Sequence, residues 1–97
     1  MEKPLSAAKP REREVVIRNL RGLHARAAAK FVKLAGGFDA QVSVSRDDQT
    51  VSGESIMGLL MLAASPGCAI RLSAEGNEAD AALTALCALV EAKFHED

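Results

Sequence analysis

Two stretches of this chain alternate apolar and polar residues with a period of two. From Ala40 to Ser45, Ala40, Val42 and Val44 fall on one side, and Gln41, Ser43 and Ser45 on the other. Between Cys68 and Glu75, Ile70, Leu72 and Ala74 fall on one side, and Arg71, Ser73 and Glu75 on the other. A pleated strand sends successive side chains to opposite faces, so each stretch reads as a strand with one dry and one wet side. A sheet with one wet face is antiparallel, and its dry face needs a covering layer of helices.

The rest of the chain supplies that layer. Residues 25–35 are alanine-rich, the best helix-forming composition, with Ala28, Phe31, Val32 and Ala35 on one face. Gly36 and Gly37 follow as a stop signal. Ser55 can cap a short helix running through Leu62, ended before Pro66 and Gly67. Glu78 to Lys93 reads as a longer helix with Ala79, Leu83, Leu86 and Val90 on its buried stripe. Its acids gather in the first turn, where the helix dipole favours them. Glu14–Asn19 is β-branched and reads as a strand, and residues 50–52 as the second arm of a hairpin turning at 46–49. The order is β-α-β-β-α-β-α: a two-layer α/β open-faced sandwich, a four-stranded antiparallel sheet with three helices on one face. Residues 1–13, with Pro4, Pro10 and little to bury, read as a flexible tail before a domain spanning 14–97.

Composition narrows the function. Ninety-seven residues fit a single domain with one modest core. Net charge is −1, but its distribution is uneven: residues 1–46 hold ten Lys or Arg against four acids, residues 47–97 two against nine. Such asymmetry suits a basic face for an acidic partner or a phosphate. Cys68 and Cys87 form no metal or disulfide pattern and read as small buried hydrophobes, so neither metal nor cofactor is expected. Residues 1–13 lack the apolar core of a secretory signal, and the longest apolar run, 59–64, is too short to span a bilayer. A cytoplasmic location is expected. An RNA-reading sheet would need aromatics on its open face, and Gln41, Ser43, Ser45, Arg71 and Ser73 provide none. A stand-alone enzyme lacks support too, since no paired carboxylates or glycine-rich phosphate loop appear; His95, near the end of the chain, is assigned no function.

Chemistry concentrates at Gly22-Leu23-His24-Ala25-Arg26. His24 stands at a strand-to-helix junction, with Gly22 as the turn residue. A helix N-terminus offers unpaired amides and partial positive charge, which favour a phosphate. A neutral imidazole there is a nitrogen nucleophile beside an anion site. Arg26, two residues on, can fold its guanidinium toward the same phosphate, and Lys30 and Lys33 add positive charge along the helix.

Ser55 precedes Ile56-Met57-Gly58-Leu59-Leu60-Met61-Leu62, which is apolar on every side. One short helix cannot bury its whole circumference in two layers. With Leu59 and Leu62 inward, Ile56, Met57 and Leu60 are expected outward as a partner surface, to which Lys30 adds charge.

These motifs resemble the HPr family of the bacterial phosphotransferase system. The likeness spans about residues 14–95 and rests on residues 22–26, Phe31-Val32, residues 55–59 and Ala74-Glu75-Gly76. It implies that His24 is phosphorylated on Nδ1 by enzyme I at the expense of phosphoenolpyruvate. It implies that Arg26 supports the phosphohistidine and that an enzyme IIA-type protein accepts the group. Ser55 matches the serine that HPr kinase/phosphorylase modifies in many bacteria. The resemblance implies a carrier that acts as a monomer, without nucleic acid or membrane insertion. Ala27 stands where many members carry Pro, and either suits the first turn. Residues 37–40 and 60–62 look like the nitrogen-related or alphaproteobacterial branch.

Overall fold

A computed structural model of the chain describes residues 11–96. Most of the expected tail, residues 1–10, lies outside that range. The elements are β1 (Arg11–Val16), α1 (Ala25–Ala35), β2 (Gln41–Arg46), β3 (Gln49–Ser52), α2 (Ile56–Met61), β4 (Ala69–Glu75) and α3 (Ala79–Glu91), then a single turn at Lys93–His95. The sheet order is β1-β4-β2-β3, antiparallel throughout.

One dry layer joins sheet and helices. Val15, Val42, Val44, Ile70, Leu72 and Ala74 are buried from the sheet side. They meet Ala28, Phe31 and Ala35 of α1, Leu59 of α2, and Ala82, Leu83, Leu86 and Val90 of α3. Each buried Val, Leu, Ile or Phe side chain among them contributes roughly 1.5–3 kcal/mol by leaving water. α3 packs on β1 and β4, and α1 lies against α3 and α2.

The structure departs from the sequence expectations at several places. β1 begins at Arg11, not Glu14, so residues 11–13 are strand and pair with Ala74, Ser73 and Leu72. Ser45 was expected on the wet face, but it is buried and its hydroxyl meets that of Thr50 across the hairpin at 2.8 Å. Val32 is half-buried, and Ala27 takes a fully buried place on α1 instead. Gly36 ends α1 in ordinary right-handed conformation (φ −67°), so no left-handed glycine cap is used there. Both cysteines are half-buried and free, not enclosed. The Ser65 hydroxyl lowers the Cys68 thiol's pKa, and burial raises that of Cys87.

The largest departure is at the C-terminus. α3 stops at Glu91, and Lys93, Phe94 and His95 all take positive φ (59°, 56° and 58°). For residues with a Cβ this left-handed conformation costs roughly 1–2 kcal/mol each. Two anchors offset that cost: Phe94 is fully buried, and Lys30 Nζ donates to the Phe94 carbonyl at 2.6 Å.

Candidate functional site

The start of α1 is built by a tight loop. Gly22 N–H donates to the Asn19 carbonyl (3.1 Å), Leu23 N–H to the Ala64 carbonyl (2.9 Å), and His24 N–H to the Gly22 carbonyl (2.9 Å). Gly22 has φ 67°, and a Cβ there would lie 2.6 Å from the Ala64 carbonyl oxygen. Only glycine satisfies both the conformation and the close approach.

His24 is the N-cap of α1 (φ −83°, ψ 179°), and its side chain makes no capping bond. The first intrahelical bond runs from Ala28 N–H to the His24 carbonyl, so the amides of Ala25, Arg26 and Ala27 precede it. No acid occupies the first turn. The positive pole of an eleven-residue helix is therefore left open beside the imidazole. Arg26 is exposed on that first turn, and among the described residues no hydrogen bond or ion pair holds its guanidinium.

The imidazole is bonded at its other end. Nε2 lies 2.8 Å from Glu96 Oε1, with both side chains mostly shielded (22% and 16% exposed). The second oxygen of the same carboxylate accepts from Asn19 Nδ2 at 2.6 Å. Asn19 is fully buried and also donates to the Gly22 carbonyl at 2.8 Å. The Asn19 amide first, and His24 second, hold the Glu96 carboxyl below its ordinary pKa. A carboxylate only accepts hydrogen bonds, so this contact puts the proton on Nε2 and leaves the lone pair of a neutral ring on Nδ1. Such a ring is a nucleophile of fixed tautomer.

Ser55 is the N-cap of α2, and its Oγ accepts from Gly58 N–H at 2.9 Å. A Cβ on Gly58 would crowd that hydroxyl and Val51, each at 3.1 Å. At the far end of α2, Arg46 Nη1 donates to the carbonyls of Leu62 (2.8 Å) and Ala63 (3.0 Å). Leu59 and Leu62 are buried, and Ile56 and Met57 are exposed. Leu60, expected outward, is half-buried and packs on the core; Met61, 68% exposed, takes its place. Leu20, in the loop that leads to His24, is 82% exposed. Lys30 was expected to serve a partner, but its ammonium is tied to the Phe94 carbonyl.

Sequence reasoning missed Asn19, Glu96, Leu20 and Met61. Asn19, three residues before Gly22, shows in the sequence only as a turn-prone polar residue with no hint of its contact to Glu96, and Glu96 shows nothing. Among the described residues, no three His, Cys, Asp or Glu side chains converge as a metal site, and no helix is long and apolar enough to cross a membrane.

Known proteins share both sequence and shape with this chain. A family model described as the PTS HPr component phosphorylation site matches residues 11–92. The phosphocarrier protein NPr of Shewanella violacea is 51% identical over 85 residues, spanning 88% of this chain and 93% of the relative. The phosphocarrier protein HPr of Pseudomonas aeruginosa is 49% identical over 84 residues, spanning 86% and 93%. The crystal structure of HPr from Thermoanaerobacter tengcongensis matches with a TM-score of 0.86 at 44% identity, covering 90% of this chain and 98% of that one. With sequence, family model and architecture in agreement over nearly the whole domain, this chain belongs to the HPr phosphocarrier family of the bacterial phosphotransferase system.

Proposed function

We propose that the chain carries a phosphoryl group on His24 Nδ1, receiving it from phosphorylated enzyme I and passing it to an enzyme IIA-type acceptor in the cytoplasm. One observation carries this reading: His24 has its Nε2 occupied by Glu96 while the open amides of α1 begin beside it. A phosphoryl group on Nδ1 gains helix-terminal donors and a nearby cation, Arg26, which is free to fold toward it. The protein lowers no barrier of its own beyond this; it is a carrier rather than an enzyme. Ile56, Met57 and Met61 of α2, and Leu20 in the loop before His24, are the exposed apolar side chains that would meet its partners. The carrier works as a monomer, although two solved relatives, an HPr and a Crh, are described as dimers.

Ser55 is the proposed regulatory position, modified by an HPr kinase/phosphorylase. Its hydroxyl lies at the start of the helix that carries Ile56 and Met57, so a phosphate there adds about two negative charges beside the docking patch. Relatives named NPr and HPr lie at nearly equal identity, and the likeness of residues 37–40 and 60–62 is to the nitrogen-related or alphaproteobacterial branch.

The test is direct. The chain is incubated with enzyme I and phosphoenolpyruvate and weighed intact at neutral pH. One acid-labile phosphoryl group is expected on the wild type and none on His24→Ala, which should keep its fold because His24 is not part of the hydrophobic core. An equally labelled His24→Ala protein refutes the reading.

A further inference from the structure

Glu96 is brought to His24 from 72 positions away, by a segment that has to adopt an unfavourable conformation to do so. Phe94 is fully buried as the anchor, and Lys30 clamps its carbonyl. The two oxygens of the carboxylate are then divided between His24 Nε2 and Asn19 Nδ2. The turn thus sets one carboxylate oxygen against the ring nitrogen that the proposed chemistry leaves unused.

We infer that Glu96 is a positioning residue of the phosphoryl cycle, its carboxylate holding a proton on His24 Nε2 throughout, so that the phosphorylated ring is a cation and departs as neutral imidazole. This rests on the carrier reading and adds a role for a residue remote in sequence.

The steps balance without any proton entering or leaving. In acceptance, the Nδ1 lone pair forms the nitrogen–phosphorus bond while the donor's bond to phosphorus breaks, and the donor keeps that electron pair. Nε2 retains its hydrogen, so the ring becomes positive, and the Glu96 carboxylate at 2.8 Å neutralises it. In donation, the acceptor's nucleophile bonds to phosphorus, the nitrogen–phosphorus bond breaks, and its pair returns to Nδ1. The ring is again neutral, with the same hydrogen on Nε2. If that hydrogen were lost between the two steps, departure would have to leave an imidazole anion, a far poorer leaving group. Glu96 opposes the loss in the way that a buried carboxylate steadies the imidazolium of a hydrolase triad.

The surroundings tilt the balance only partly the other way. Arg21 in the loop acts on Glu96 from a distance, and Arg26 and Lys30 of α1 are the other cations of the junction. Lys30 is committed to the Phe94 carbonyl, and Asn19 meets Glu96 through a neutral amide. The hydrogen-bonded partner of Nε2 is thus the anion.

The experiment compares wild type, Glu96→Gln and Glu96→Ala, each phosphorylated by enzyme I and phosphoenolpyruvate and then purified. Two rates are measured at neutral pH: spontaneous hydrolysis, and return of the group to unphosphorylated enzyme I supplied with pyruvate. Both variants should be slower in both rates, by up to about tenfold, the largest population change that one unit of pKa can give. A merely structural role predicts the opposite for hydrolysis, because a loosened turn admits water and speeds it. NMR of the unphosphorylated ring separates the variants. The Gln side chain can still accept from Nε2–H, so a slowly exchanging ring proton should persist in Glu96→Gln and vanish in Glu96→Ala. Unchanged or faster hydrolysis in both variants, with a normally phosphorylated wild type, overturns this inference and leaves the carrier reading standing. A wild type that takes no group on His24 overturns both.

Discussion

The two short-loop helices of this fold begin in contrasting ways. At α2, Ser55 turns its hydroxyl onto Gly58 N–H, so the N-terminus is closed by its own cap. At α1, His24 occupies the same cap position, yet its ring is drawn away to Glu96 and the first amides are left without a side-chain partner. The closed start stabilises a six-residue helix that needs help to form, since so short a helix is marginal alone. The open start belongs to an eleven-residue helix with Ala27, Ala28, Phe31 and Ala35 in the core, which can dispense with a cap. Stability given up at one helix end is what leaves room there for an anion.

The contrast breaks most readily at Gly22. Gly22→Ala forces a Cβ to within 2.6 Å of the Ala64 carbonyl at a positive φ, so the loop must shift. A loss of about 2–3 kcal/mol is expected by denaturant titration, together with severe loss of phosphoryl acceptance because the His24 junction moves with the loop. Full stability in that variant would show that the loop does not set the open start.

Ser55 sharpens the contrast by separating cap from charge. Ser55→Ala should cost about 1 kcal/mol with near-normal phosphoryl acceptance, since only the cap is lost. Ser55→Asp should fold normally but accept the group from enzyme I more slowly. Glu54 already places an acid beside it, which limits the added effect. The gap from wild type should narrow as salt screens the charge. Equal rates at low salt would reduce Ser55 to a helix cap.

The smallest effect expected is on acid stability. Glu96 is held below its ordinary pKa of 4.5 in the folded chain, so its stabilising contribution is complete above that value. It is lost as the pH falls through the lower folded value. The stability difference between wild type and Glu96→Gln should therefore shrink on acidification through and below about pH 4. A difference independent of pH would mean that the carboxylate's charge contributes nothing to the turn.

The sheet core and helix order were legible because their signals are local. Val42, Val44, Ile70, Leu72 and Ala74 alternate, and Ala28, Phe31 and Ala35 repeat at helical spacing. The start of β1 was not legible. Arg11, Glu12, Arg13 and Glu14 are all exposed, and an edge strand held by backbone pairing to β4 shows no apolar pattern. His24 and Arg26 could be read from their place beside Gly22. Asn19 and Glu96 could not, because what defines them is contact across 77 positions, which no short window contains. Leu60 turns to the core and Met61, which had no assigned side, stays exposed, because a six-residue helix gives too few turns to fix its inward face from sequence.

The central claim is that His24 carries the phosphoryl group on the nitrogen that Glu96 leaves free. Phosphorus and nitrogen NMR of the chain after reaction with enzyme I and phosphoenolpyruvate reads this directly. A single phosphohistidine bonded through Nδ1, with a hydrogen still on Nε2, is the predicted result. A phosphoryl group on Nε2, on His95 or on Ser55, or none at all, would contradict it.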